Sequence, residues 1–177
     1  MDDLALSTLI PLDQVPDAAV VAVLDRAFGP TRTGLTSYAI RQAAEPLAPL
    51  CFAALDERGE LVGVIKAHPV ALTEPAGKAH PLIMIGPVAI VPERQGQGFG
   101  RALMAAQAEA IAAARAEGAP ALAQVLIGDA PYYGPFGFSE APRGWTCPGP
   151  WDPARLLVRG ADPAALPPAG MLGPWRT

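Results

Sequence analysis

The sequence predicts a mixed α/β fold, and three observations carry that prediction. Two apolar, β-prone runs flank a tight polar turn; a strand ends in a glycine-rich loop that opens directly into a helix; another apolar run follows that helix. The early runs should pair as antiparallel hairpins. A strand that returns after a helical crossover should pair parallel with the strand before it.

The elements follow in order. Leu4 to Ile10 alternates weakly and is predicted as a first strand. Val15 to Phe28 repeats apolar residues at helical spacing (Val20, Val23, Leu24, Ala27), and Gly29-Pro30 stops it. Thr36 to Ala44 reads as a second helix ended by Pro46. Leu50 to Leu55 and Leu61 to Val70 are strands around the turn Asp56-Glu57-Arg58-Gly59. A loop is expected from Ala71 to His80, then the strongest strand, Leu82 to Val91, interrupted by Gly86-Pro87.

Phe99 to Glu117 is the clearest helix, with Leu103, Ala106, Ala110, Ile111 and Ala114 on one stripe. Gly118 suits the position after its end, and Pro120 prevents continuation. Ala121 to Ile127 is a buried-strand candidate, and Gly128 to Phe138 is an aromatic-rich loop or short helix. The tail after Trp145 is rich in proline, with Arg155 to Arg159 as the expected last strand. With no repeat and no dividing linker, the chain reads as a single domain over 1–177, its core about 4–142 and a Pro-rich segment over 143–177.

Bulk properties exclude several classes. A chain of 177 residues that is 51% hydrophobic suits one globular core. Its net charge of −4 and scattered basic residues give no field for displacing counterions from nucleic acid. No apolar run is long enough to span a membrane, and Met1-Asp2-Asp3 lacks the basic start of a signal peptide. A soluble cytoplasmic protein, with neither nucleic acid nor membrane as partner, is the expectation. Cys51, Cys147, His68 and His80 have no metal-ligand spacing, so no metal is expected.

The segment Pro92 to Leu103 carries the chemistry. Gly96, Gly98 and Gly100 alternate where a strand ends and a helix begins. Glycine admits positive φ and close approach of a ligand. The first N–H groups of the helix lack internal partners and lie at the positive end of its dipole, which makes an anion site suited to a pyrophosphate. The bland alternative is a flexible loop before a surface helix. A P-loop would need a lysine that is missing here, and the dinucleotide fingerprint fails because Arg101 stands after the third glycine.

What fits is Q-x-x-G-x-G, as Gln95, Gly98 and Gly100. In this motif, and in Ile85 to Ile90 and Gly128 to Phe138, the sequence resembles the GCN5-related N-acetyltransferase (GNAT) superfamily, especially its YhbS-like bacterial branch. The resemblance runs from the first strand to about Phe138, and into Pro153–Val158. It implies a mostly antiparallel sheet with one splayed parallel strand pair, helices on both faces, and acetyl-CoA as donor.

Backbone amides of Gln95, Gly96, Gln97, Gly98, Phe99, Gly100 and Arg101 would hold the pyrophosphate, and main chain of Val88, Ala89 and Ile90 would pair with the pantetheine arm. Arg94 and Arg101 would contact outer phosphates, or stand as solvated surface cations. Pro87 inside a strand signals a bulge or an unpaired edge. In the family a bulge here opens a cleft for the thioester, and the Val88 N–H is the expected oxyanion donor because Pro87 has none.

Tyr133, four residues before Gly137-Phe138, matches the tyrosine that protonates the departing thiolate in the family. Packing under the CoA arm is the alternative for Tyr132 and Tyr133. The chain departs from the family at Leu126, where many members carry asparagine, and Asp129 is expected to cap a short helix instead. No base is assigned among His68, His80, Glu45 and Glu74. The implied activity is direct transfer of an acetyl group to a small-molecule or peptide amine by a monomer or homodimer; the alternative is a non-catalytic acyl-CoA-binding module.

Overall fold

The structure is a computed structural model that describes residues 8–175. The part of the expected first strand before Thr8 lies outside the described residues. The chain forms two compact units, one comprising residues up to Arg32 with Pro46–Ala67 and Gly86–Ala119, the other Thr33–Glu45, His68–Ile85 and Pro120 onward. Two long strands, β3 and β4 below, run through both.

In the first unit β1 (Thr8–Pro11) leads through a 3-10 turn into α1 (Asp17–Phe28). The Pro16 carbonyl accepts from Ala19 and Val20, and Asp17 and Arg26 complement the dipole at the two ends. Gly29, at φ 88°, stops α1 where the sequence predicts. Val20, Val23 and Leu24 form its buried face.

β2 (Phe52–Leu55) pairs antiparallel with β1 and with β3 (Leu61–Thr73). Their turn is built by Asp56, whose carboxylate accepts from the backbone N–H groups of Arg58 and Glu60 at 2.9 and 3.0 Å. The end of β4 (Ala79–Ile90) leads into α3 (Phe99–Ala116), which packs on β2. Gly118, at φ 101°, follows its end, as expected.

α3 buries Phe99, Leu103, Met104, Gln107 and Ile111; Leu103 and Ile111 of the stripe read from the sequence lie on this face, while Ala106, Ala110 and Ala114 at its margin are half-buried. Gln107 is fully buried and donates to the carbonyls of Leu50 at 2.8 Å and Lys66 at 3.1 Å. Gln107→Ala should orphan both carbonyls. Because Gln107 Oε1 finds no partner among the described residues, the substitution also removes one cost, and the net loss should be about 1–3 kcal/mol. Urea unfolding checks it.

In the second unit the start of β4 pairs parallel with β5 (Gln124–Ile127), as predicted for a strand returning after a crossover. The expected strand over Ala121–Ile127 loses its first three residues. α2 (Thr36–Ile40) is shorter than the expected Thr36–Ala44 helix: the chain turns after Ile40, and Ala43 takes a positive φ of 58°. The expected loop Ala71–His80 shrinks to Glu74–Lys78, because Glu74 and Lys78 close a hairpin and Gly77 supplies φ 101°.

α4 (Ala130–Tyr133) is followed by β6 (Ser139–Glu140), β7 (Gly144–Thr146) and β8 (Leu156–Arg159). β8 pairs antiparallel with β5 and β6 but is not the last strand. β9 (Ala169–Pro174) follows it, antiparallel to β3 and parallel to β7. Gly170 permits this: a Cβ there would lie 2.8 Å from the Thr73 carbonyl. The second core centres on Trp145, Leu72, Met84, Val125 and Leu172, with Trp145 Nε1 donating to the Pro167 carbonyl at 2.7 Å. The sheet is thus mostly antiparallel, and no helix among the described residues is long and apolar enough to cross a membrane.

Candidate active site

The glycine junction forms as the sequence predicts. β4 gives way to a short 3-10 turn (Pro92–Arg94), then to the loop Gln95–Gly98. Gly96 has φ 76°; Gly98, the residue before α3, has φ 92° and ψ −2°. L side chains rarely adopt this region. Gly100 lies inside the first turn of α3. That turn has no acidic residue and carries the exposed Arg101. A cation at a helix N-terminus opposes the dipole by about 0.3–1 kcal/mol, a cost that an anion bound there removes.

The loop is braced by its own side chains. Gln95 Nε2 donates to the Ile90 carbonyl at 3.1 Å, and Gln97 Nε2 to the Glu93 carbonyl at 3.3 Å. The Ile90 carbonyl, expected to meet the pantetheine arm, thus already holds one donor. Arg94 directs its guanidinium at Glu57 and over the ring of Phe99. Val88 and Ile90 are half-buried, while Ala89 and Val91 are buried on the opposite side of the strand.

Gly86 has φ 120° and precedes a cis peptide bond to Pro87. The register of β4 with β5 consists of Ile83 with Gln124 and Met84 with Val125. The parallel ladder to β5 therefore ends before Gly86, but β4 itself runs unbroken through Gly86-Pro87, so the interruption expected there is corrected to a loss of pairing on one side.

Tyr133 belongs to the second unit. It is half-buried, whereas Tyr132 is 46% exposed. The two rings meet edge-on at 4.8 Å, and Tyr133 also stands edge-on to Phe138 at 6.0 Å. Beneath them Arg159 stacks on Phe138 at 4.4 Å and donates to Gln124 and to the Phe136 carbonyl. Burial pushes the Tyr133 phenol up to about 12, with Tyr132 and Asp129 adding to the rise and Arg155 opposing it.

Gly128 is a residue the sequence reading missed. A Cβ there would collide with Tyr133 Cε2, so a bare backbone is what seats the ring. Asp129 occupies the position before α4, but its carboxylate makes no capping bond; it pairs with Arg155 at 3.0 Å instead. The expected cap is thus corrected to an ion pair.

Of the residues considered as a base, His80 Nε2 lies 2.6 Å from Glu74 Oε2, His68 is buried, and Glu45 is exposed. Burial raises Cys51 and lifts Cys147 to about 11, so neither is a ready thiolate nucleophile. Among the described residues no cluster suits a metal ion.

The site thus combines a mostly antiparallel α/β sheet, the parallel β4–β5 pair within it, and a glycine loop at the N-terminus of α3. A family model described as the acetyltransferase (GNAT) domain matches residues 17–141, and the chain belongs to that family. Among solved structures, the GNAT-family N-acetyltransferase YhbS of Escherichia coli, in complex with CoA, is similar over 96% of this chain and 90% of its own at 23% identity, with a TM-score of 0.67. A GNAT-family acetyltransferase of Brucella melitensis, in complex with acetyl-CoA, aligns over 88% and 96% at 26% identity and a TM-score of 0.52. A Corynebacterium glutamicum protein described as histone acetyltransferase HPA2 and related acetyltransferase aligns over 90% and 99% at 22% and 0.53. No curated protein matches the chain.

Proposed function

We propose that this chain, acting as one domain, is an N-acetyltransferase that moves the acetyl group of acetyl-CoA to an amine by direct attack. The observation that carries the reading is the start of α3: two positive-φ glycines, a first turn without acid, and an exposed cation, Arg101, at the positive end of an 18-residue helix. Family membership supplies the chemistry, and the CoA and acetyl-CoA complexes of the two structures above support the donor.

In this reading the amides of Gln95 to Arg101 and the Arg101 side chain take the pyrophosphate. Main chain of Val88 to Ile90 takes the pantetheine arm, supported by the end of the β5 ladder at Met84. The Val88 N–H polarises the thioester carbonyl. A neutral amine attacks, the C–N bond forms and the C–S bond breaks, the nitrogen releases its surplus proton to water, and Tyr133 serves the departing thiolate with its O–H. The buried thiols favour direct attack over a covalent intermediate.

One observation favours the second reading, a non-catalytic acyl-CoA binder. A phenol at about 12 is a reluctant acid toward a thiolate. CoA-thiol release with a panel of amines and acyl-CoAs decides: release with a primary amine supports the transferase, and binding with no release across the panel refutes it.

A further inference from the structure

The entrance to the glycine loop is gripped from two directions. Glu93 pairs with Arg26 of α1. Its neighbour Arg94 turns to the β2–β3 turn, where its two terminal nitrogens meet the two carboxylate oxygens of Glu57 at 3.4 and 2.9 Å. Asp56 Oδ2 lies 4.0 Å away. The Arg94 Cζ also stands 5.2 Å from the ring centre of Phe99, the first residue of α3.

The turn that carries the acceptor is anchored at Asp56, while the Glu57 side chain that accepts from Arg94 is exposed. Asp56 is 7% exposed and holds two backbone N–H groups of its own turn. Phe99 is likewise buried. Arg94 therefore ties a fixed turn to the first residue of the helix that follows Gly98. Its bidentate fork is the geometry in which a guanidinium is most specific and least replaceable by lysine.

A phosphate-contacting Arg94 would have to leave both carboxylates.

We propose that Arg94 is a positioning residue, which fixes the phosphate loop by bridging the Asp56–Glu57 turn and Phe99; this rests on the acetyl-CoA reading above. Arg94 then acts on donor affinity through the loop's shape.

The two roles give opposite signs in one experiment. Glu57→Gln removes an anion at an exposed turn and releases Arg94. If Arg94 were a phosphate ligand, acetyl-CoA binding would tighten. If it positions the loop, binding weakens, by about threefold to tenfold for lost preorganisation. Calorimetric titration of acetyl-CoA into wild type, Glu57→Gln and Arg94→Lys measures this, with urea midpoints confirming intact folds.

Arg94→Lys keeps the charge and loses the fork and the stacking, so it should weaken binding as well. In turnover, both variants should raise KM for acetyl-CoA with kcat changed by less than about twofold, because the contact lies away from the reacting atoms. Equal or tighter binding by Glu57→Gln, or full affinity in Arg94→Lys, overturns the inference while leaving the acetyl-CoA reading in place. A wild-type protein that fails to bind acetyl-CoA overturns that reading itself.

Discussion

Gly98→Val should remove at least about 100-fold of acetyl-CoA affinity from a protein that still folds. Two effects combine. Gly98 sits at φ 92° and ψ −2°, a conformation that costs a non-glycine residue about 1–3 kcal/mol and a β-branched one at the upper end. The strained backbone relaxes by rotating the peptide planes that aim the first N–H groups of α3. The isopropyl group also stands where a pyrophosphate would approach the backbone. Gly98→Ala should fall between wild type and Val, because it has the same φ problem and less bulk. Calorimetry with acetyl-CoA, alongside thermal melts, checks the pair. Unchanged affinity in folded Gly98→Val places the donor elsewhere.

What was legible in the sequence was local. α3 announces itself because Leu103 and Ile111 recur at helical spacing and glycines bound both ends. The Asp56–Gly59 turn is likewise written in four residues, since an aspartate that accepts from the next N–H groups needs no distant partner. The parallel β4–β5 pair followed from chain geometry alone.

The misses were matters of long range or of unsignalled backbone. β9 hides in a proline-rich tail because its pairing depends on Leu72 and Trp145, far away in the chain. Gln107 reads as a surface residue, yet its acceptors lie 57 and 41 residues upstream. The partner of Arg94 is 37 residues away, so its engagement by Glu57 has no local signature. α2 stops early at a positive-φ alanine, which no residue type announces. Of the candidate site, the glycine loop was legible from glycine spacing. Tyr133 and Val88 came from family resemblance, and the seat that Gly128 gives Tyr133 came only from the structure.

The magnitude expected for Tyr133→Phe follows from its environment. Full proton transfer from a phenol at about 12 to a thiolate whose acid is near 8.5 is clearly uphill. Complete general-acid catalysis, about 10²–10⁴-fold, therefore overstates the role in this environment. A hydrogen bond from a neutral phenol to developing negative charge on sulfur is worth about 1.5–3 kcal/mol, which gives about 10–100-fold in kcat. Tyr133→Phe should lose that much with little change in acetyl-CoA binding. Tyr132→Phe, on the more exposed ring, should be far milder.

Two further measurements separate the donor role from a packing role. A phenol at about 12 stays protonated, so wild-type kcat should show no fall from Tyr133 ionisation up to about pH 10; a phenol tuned toward neutrality would show one. Gly128→Ala keeps the hydroxyl on the side chain but displaces the whole phenol, and should cost turnover comparably to Tyr133→Phe. If chemistry is rate-limiting and Tyr133→Phe keeps near-full turnover, the thiolate is served by water or another group. If Gly128→Ala alone is silent, the ring's seat is immaterial and the phenol does not act from it.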